Sequence, residues 1–291
     1  MEVAFSTERM KLRAEMDLGP LVEDVTQSLA TAAMYGRSAA RVVRRGRRLG
    51  SEERMVFVVG SPRSGTTLTG SSLGSLQGFV DLGEVQPWRG AIAELFGQPD
   101  EEVAPRLRGI LERVRRLGLA RGLRGVEQSP ETCFVLGAAL VAYPDAVAVH
   151  VIRDGRDVVA SLLEQGWLNA DPTGQSYDPR DEYWVEQGRE EEFALASDAT
   201  RAAWAWRRHL AAAAAFPART VPLRYEELVR DPGVATAPLA ARLGIDADLV
   251  TQAFATAHDR SVGRWRRDLS ADQVSDVERE AGEQLRALGY E

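Results

Sequence analysis

The chain of 291 residues holds a single cysteine, Cys133, so no disulfide can form within it and no cage of clustered thiolates can hold a metal. Histidine is nearly as scarce. His150, His209 and His258 lie far apart, which leaves no His pair at zinc-ligand spacing. One lysine, Lys11, stands among 36 basic residues, so any anion site has to be built from arginine and backbone N–H groups. The same bias suggests a GC-rich, bacterial source. No apolar run approaches the roughly 18 residues that span a bilayer, and residues 1–10 lack the apolar core of a signal peptide. A soluble, cytoplasmic chain without a membrane partner is expected. Positive charge is in deficit as well: 36 basic against 43 acidic residues give a formal charge of −7. A general nucleic-acid binder has the opposite balance.

What is present is globular in composition, 44% hydrophobic and 27% charged. At roughly 150 residues per domain the length allows one or two domains. No internal repeat and no break in composition marks a second, so one domain over 1–291 is expected. Residues 1–50 carry helical spacing (Leu18, Leu21, Val22, Val25, Leu29, Ala32) and end in Arg41, Arg44, Arg45, Arg47 and Arg48. That cluster suits a solvated helix C-terminus, or an anionic partner surface. Runs at 55–59 and 146–152 are continuous, β-branched and apolar, as buried parallel strands are. A weaker run at 219–224 contains Pro222, which suggests an edge. Helical patterns fill 66–76, 100–117, 130–142, 155–165, 193–215 and 234–243. Strands alternating with helices predict an α/β fold, a three-layer α/β/α sandwich around a parallel sheet. The stretch from Trp167 to residue 192 is polar and rich in Asp, Gly and aromatics, and reads as a lid.

The strongest local signal is Gly60-Ser-Pro-Arg-Ser-Gly-Thr-Thr67, which follows the best strand and opens a helix. Its G-x-x-x-x-G spacing turns N–H groups and a helix N-terminus toward an anion, in the manner of a P-loop. The nucleotide-triphosphatase version has Lys then Ser/Thr after the second glycine. Here Thr66 stands in the lysine position, and Arg63 supplies the charge. The second signal is Val149-His-Val-Ile-Arg-Asp-Gly-Arg-Asp-Val-Val-Ala-Ser161. Arg153 falls at the C-terminal end of a buried strand, where open α/β sheets bind ligands. Asp154 and Asp157, three apart at a helix start, match an N-cap and a third-position acid. If the helix folds back toward the strand end, Arg153 and Ser161 can hydrogen-bond one phosphate.

Together these motifs resemble the sulfotransferases that use 3′-phosphoadenosine-5′-phosphosulfate (PAPS). The 60–67 stretch is similar to their 5′-phosphosulfate loop, and Arg153 with Ser161 to their 3′-phosphate motif. Val126-Glu-Gln-Ser-Pro130, the 224–232 stretch with Tyr225, and Ser261-Val-Gly-Arg-Trp-Arg-Arg267 resemble further family segments, the last being the one that closes on the nucleotide. The resemblance implies a cofactor site of Arg63, Ser64, Gly65, Thr66, Thr67, Arg153, Ser161, Tyr225, Arg264 and Trp265. In the branch with tyrosylprotein sulfotransferases a Gly-Glu pair follows the loop helix, and its Glu is the base; here the pair is Gly83-Glu84. The cytosolic branch uses a His after its second strand, which this chain lacks before residue 145. Glu84 as general base and Arg63 as a catalytic charge are therefore expected, with Glu127 the next candidate base. Gln128 departs from the pattern, standing where relatives have Lys.

The resemblance implies transfer of a sulfuryl group from PAPS to a hydroxyl of a small molecule, sugar or peptide, without a metal. A nucleotide-dependent kinase and a non-catalytic PAP- or PAPS-binding protein are the competing functions. Trp167, Tyr177, Tyr183 and Trp184 of the lid either stack an acceptor or anchor the lid to the core.

Overall fold

The computed structural model describes residues 52–166, 168 and 182–290. The expected helical extension with its arginine cluster, and Trp167 and Tyr177 of the expected lid, lie outside these residues. In chain order the structure runs β1 (Met55–Val59), α1 (Thr66–Ser75), β2 (Phe79–Gly83), α2 (Gln86–Leu95) and α3 (Asp100–Leu117). Then come β3 (Arg124–Glu127), a 3₁₀ turn (Pro130–Val135), α4 (Leu136–Ala142), β4 (Val147–Ile152) and α5 (Gly155–Gln165). After residue 182 follow α6 (Glu190–Leu195), α7 (Asp198–Ala214), β5 (Thr220–Arg224), α8 (Tyr225–Arg230), α9 (Pro232–Leu243) and α10 (Ala247–Ala253). A short α11 (Trp265–Asp268) and a long α12 (Ala271–Ala287) complete it.

The sheet is fully parallel in the order β2-β3-β1-β4-β5. β1 shows why its apolar run is unbroken. Met55, Phe57 and Val59 face a core shared with α2, α3 and α4, while Val56 and Val58 face one shared with α1, α9 and α10. Both faces of the sheet are covered, so both side-chain sets of the strand are apolar. A third cluster joins α5, α7 and α12 through Val158, Trp204, Trp206 and Val277. Burying each large apolar side chain contributes about 1.5–3 kcal/mol. The three layers agree with the expected architecture, and Pro222 does sit in an edge strand.

Several elements differ from their sequence-based outlines. β2 and β3 carry no continuous apolar run: Asp81 interrupts one, and Arg124 and Glu127 end the other. They are strands because β2 pairs with β3 and β3 with β1, which local patterning does not report. The expected helix at 130–142 starts as a 3₁₀ turn, and the one at 193–215 is split, with Ser197 capping its second part. α12 was not among the expected helices: Ser270 and Gln273 form a capping box at its start, and Val277, Ala281 and Leu285 lie on its buried face. Among the described residues no helix is long and apolar enough to cross a membrane. From β1 the chain passes to β2 on one side, while β4 flanks β1 on the other. The C-terminal ends of β1 and β4 therefore border the crevice where open α/β sheets take ligands.

Candidate functional site

The loop after β1 is shaped by two glycines. Gly60 has φ +147°, and a Cβ on it would stand 2.5 Å from the Val151 carbonyl oxygen, so only glycine lets the chain leave between β1 and β4. Gly65 has φ +103°, and a Cβ on it would meet the Tyr225 ring at 2.9 Å. Gly65 is the N-cap of α1 and no side chain caps that helix. The first N–H groups of α1 and the positive end of its dipole are thereby left for an anion. Arg63 is held at φ +68°. A left-handed non-glycine costs on the order of 1–3 kcal/mol and is a mark of functional sites.

Arg63, Arg153 and Ser161 converge here. Arg63 Nε donates to Ser161 Oγ at 3.0 Å. Arg153 donates Nη1 to the Arg63 carbonyl at 2.9 Å and Nη2 to the Ser261 carbonyl at 2.6 Å. Its guanidinium lies 4.9 Å from the centre of the Tyr225 ring, whose hydroxyl donates to the His258 carbonyl at 3.0 Å. The Nε of Arg153 is buried without a partner. Burial pulls the Arg153 guanidinium below its usual pKa, with Asp157 opposing. Ser64 and Thr66 of the loop are buried, and Thr67 is exposed at the start of α1. Tyr225 is buried beneath Gly65 and Arg153, so it supports the loop from behind.

The two aspartates beside Arg153 part company. Asp154 caps α5, accepting from the Arg156 N–H at 2.9 Å and pairing with the Arg156 guanidinium. Asp157 stands at the expected third position of α5, but its carboxylate does not turn back to the cap. Its carboxylate accepts from the Gly263 N–H at 2.7 Å and the Trp265 N–H at 3.0 Å, and so ties residues 261–265 to α5. The Arg156 and Arg266 guanidinium groups both lie over the Trp265 ring, 4.2 and 4.4 Å from its centre. Arg264 is engaged with Glu164 at 3.0 Å and Asp268 at 2.6 Å.

Glu84 stands across the crevice on the turn from β2 to α2. Asp81 shapes that turn by accepting from the Gly83 N–H at 2.8 Å, with Gly83 at φ +71°. Glu84 Oε2 accepts from Arg89 Nη1 at 3.0 Å, and Arg89 Nη2 donates to Glu131 Oε1 at 2.6 Å. Burial pushes the Glu84 carboxyl above the ordinary range. Arg89 opposes that push, Glu131 adds to it, and Arg63 opposes it. Arg89 and Glu131 were not singled out from the sequence. The only local hint was an arginine five residues after Glu84.

Glu127 is no candidate base, because it is fully buried and cannot meet a substrate. It accepts from the Ser129 N–H at 2.9 Å and from Thr132 Oγ1 at 2.8 Å, and Thr132 accepts from Trp88 Nε1 at 2.7 Å. Burial pushes its carboxyl up to about 8. Gln128 lies against the loop helix. With its nitrogen toward α1, the amide donates to the Thr66 and Thr67 carbonyls at 3.0 and 3.2 Å. Of the lid aromatics, Trp184 is buried, 5.3 Å from Phe193 centre to centre, and anchors its segment. Tyr183 packs edge-on against Phe134 at 5.5 Å. His150 and His209 are buried in the core, and burial pushes His150 down to about 4.

Comparison with known proteins gives one family. A model of the sulfotransferase family matches residues 92–248, a stretch that includes Arg153, Ser161 and Tyr225 and leaves out the loop after β1 and Glu84. No curated protein matches the sequence. Among solved structures, a sulfotransferase domain from the curacin biosynthetic pathway is 15% identical, with a TM-score of 0.51 over 83% of this chain and 99% of that one. A sulfotransferase from Mycobacterium tuberculosis H37Rv is 18% identical, with a TM-score of 0.48 over 86% of this chain and 82% of that one. A mouse sulfotransferase solved in complex with PAP is 14% identical, with a TM-score of 0.46 over 82% of this chain and 86% of that one. The first of these shares the fold.

Proposed function

The chain belongs to the sulfotransferase family, and from that premise we propose that it moves a sulfuryl group from PAPS to a hydroxyl-bearing acceptor, with Glu84 as the general base. The observation that carries this is the convergence of Arg63, Arg153 and Ser161 beside the uncapped start of α1. The partnerless Nε of Arg153 fits a phosphate in this cradle.

PAPS supplies the activated sulfuryl group. The N–H groups of the 60–67 loop, with Arg63, Ser64, Gly65, Thr66 and Thr67, hold its 5′ end. Arg153 and Ser161 hold its 3′-phosphate, supported by Tyr225, and the 261–265 segment with Arg264 and Trp265 closes beside them. Glu84 accepts the acceptor's proton on a carboxylate oxygen. Preorganised N–H and guanidinium donors stabilise the charge that spreads in transfer. Gln128 holds the start of α1 by its amide, which leaves the cationic share to Arg63. The base places the chain nearer the tyrosylprotein branch than the His-base branch. One domain carries both the donor and the acceptor side of this site.

Calorimetry with PAP and ATP tests the cradle. PAP binds tighter by about 1–3 kcal/mol, roughly 5- to 150-fold, because ATP has no 3′-phosphate for Arg153. Arg153→Ala removes most of that preference. Equal affinities in the wild type point to the kinase alternative. PAP binding without turnover of labelled PAPS on any hydroxyl acceptor points to a sensor.

A further inference from the structure

The Glu84 corner carries more charge than a lone base needs. Arg89 is shared by two carboxylates, Glu84 at 3.0 Å and Glu131 at 2.6 Å. The second oxygen of Glu131 is buried without a hydrogen-bond partner, so among the described residues Arg89 is the only side chain to which its carboxylate is bonded. The sharing is built in from two separate segments. Trp88 is wholly buried, and its bond to Thr132 fixes the start of α2 against the 3₁₀ turn that carries Glu131. Thr132 is fixed in turn by Glu127. Arg89 and Glu131 project from the two ends of that buried link.

We propose that Arg89 is the positioning residue of the base and that Glu131 tunes it, by drawing the guanidinium charge partly away from Glu84. The proposal rests on Glu84 being the base. Undivided, Arg89 would stabilise the ionised carboxylate and weaken it as a proton acceptor. Without Arg89, the half-buried carboxyl would be protonated over more of the working pH range and would lose its orientation. Two carboxylates on one guanidinium set Glu84 between these limits.

The other groups around the corner do not titrate in its place. Facing Glu84 are Arg89 of α2, Glu131 of the 3₁₀ turn and Arg63 of the loop after β1. Facing Glu131 are Arg89, Glu127, Cys133, Tyr183 and His209. Burial pushes the Cys133 thiol and the Tyr183 phenol up, so both stay neutral across the acid range, and it pushes the His209 imidazole down. Glu127, pushed up to about 8, is neutral there too.

The test is the acid limb of the kcat/KM profile, together with the Glu84 carboxyl ¹³C titration in the ligand-free protein. Glu131→Gln keeps shape and removes the competing charge. Both curves move to lower pH by about one unit, the effect of one nearby charge, and kcat falls a few-fold. Arg89→Ala moves both curves the other way and lowers kcat at least tenfold, and Arg89→Lys restores part of the rate and returns the limb toward the wild type. A merely structural pair would lower melting temperature and leave both curves in place; that result overturns the proposal. Glu84→Gln distinguishes the two levels of failure. If it turns over normally, the base assignment falls and the positioning role with it. If it is nearly inactive while Glu131→Gln and Arg89→Ala leave the limb unmoved, only the tuning role is overturned.

Discussion

The two walls of the crevice are built on opposite electrostatic plans. On the wall made by the β1 and β4 loops, Arg153 bonds to carbonyl oxygens, and Arg63 donates to a serine hydroxyl. The carboxylates nearby are turned elsewhere, Asp154 to Arg156 and Asp157 to the backbone of the 261–265 segment. On the wall made by the β2–α2 turn and the 3₁₀ turn, one guanidinium answers two carboxylates. In the proposed function the first plan supplies positive charge to the donor's phosphates, and the second supplies a carboxylate to take the acceptor's proton. A group-transfer site needs both. The two sets stand on different strand ends, although Arg63 of the cradle still feels the Glu84 charge.

If the walls are separable, damage to one should spare the other. The largest expected effect is on the acid wall: Glu84→Gln lowers turnover by roughly 10²–10⁴-fold and leaves PAP affinity, measured by calorimetry, near the wild-type value. Loss of PAP binding in that variant would show that the walls are coupled. On the cradle wall, Asp157→Asn keeps the side-chain shape but leaves one oxygen for two N–H donors, at Gly263 and Trp265. Losing one charged hydrogen bond, about 1.5–3 kcal/mol, loosens the 261–265 segment. PAP affinity falls roughly tenfold or more, while kcat at saturating donor changes little. A kcat defect with unchanged affinity would move Asp157 to the chemistry.

The smallest effect concerns the buried link under the acid wall. Glu127 is pushed up to about 8 from an ordinary value near 4.5. Its raised folded value makes the associated stability complete below the ordinary value and progressively lost as pH rises through the folded one. Wild-type melting temperature therefore drops between pH 5 and 8.5 by an amount that Glu127→Gln removes. An identical slope in the variant would assign it to other groups.

How far local pattern reaches is clear from particular residues. The β1 run, Gly60, Gly65 and the helix after them are near neighbours in the chain, and so are the β4 run, Arg153 and the Asp154 cap; all were legible. The place of Asp157 in the first turn of α5 was legible too, but its partners were not, because they lie more than a hundred residues onward. Arg89 was missed because its second carboxylate is 42 residues away. β2 and β3 were missed because short segments broken or ended by charged residues become strands only beside a partner.

The sequence by itself determined that a buried parallel strand ends in a phosphate-type loop, that a second ends in an arginine ahead of a capped helix, and that Glu84 follows a glycine turn. Those properties come from side-chain period, glycine freedom and capping, which act over a few residues. Only the tertiary structure decided that the two loops meet across β1 and β4, that Asp157 ties down the 261–265 segment, and that Arg89 is divided between Glu84 and Glu131. Each depends on strand order and on contacts between distant segments, and charges attract according to their separation in space, not along the chain.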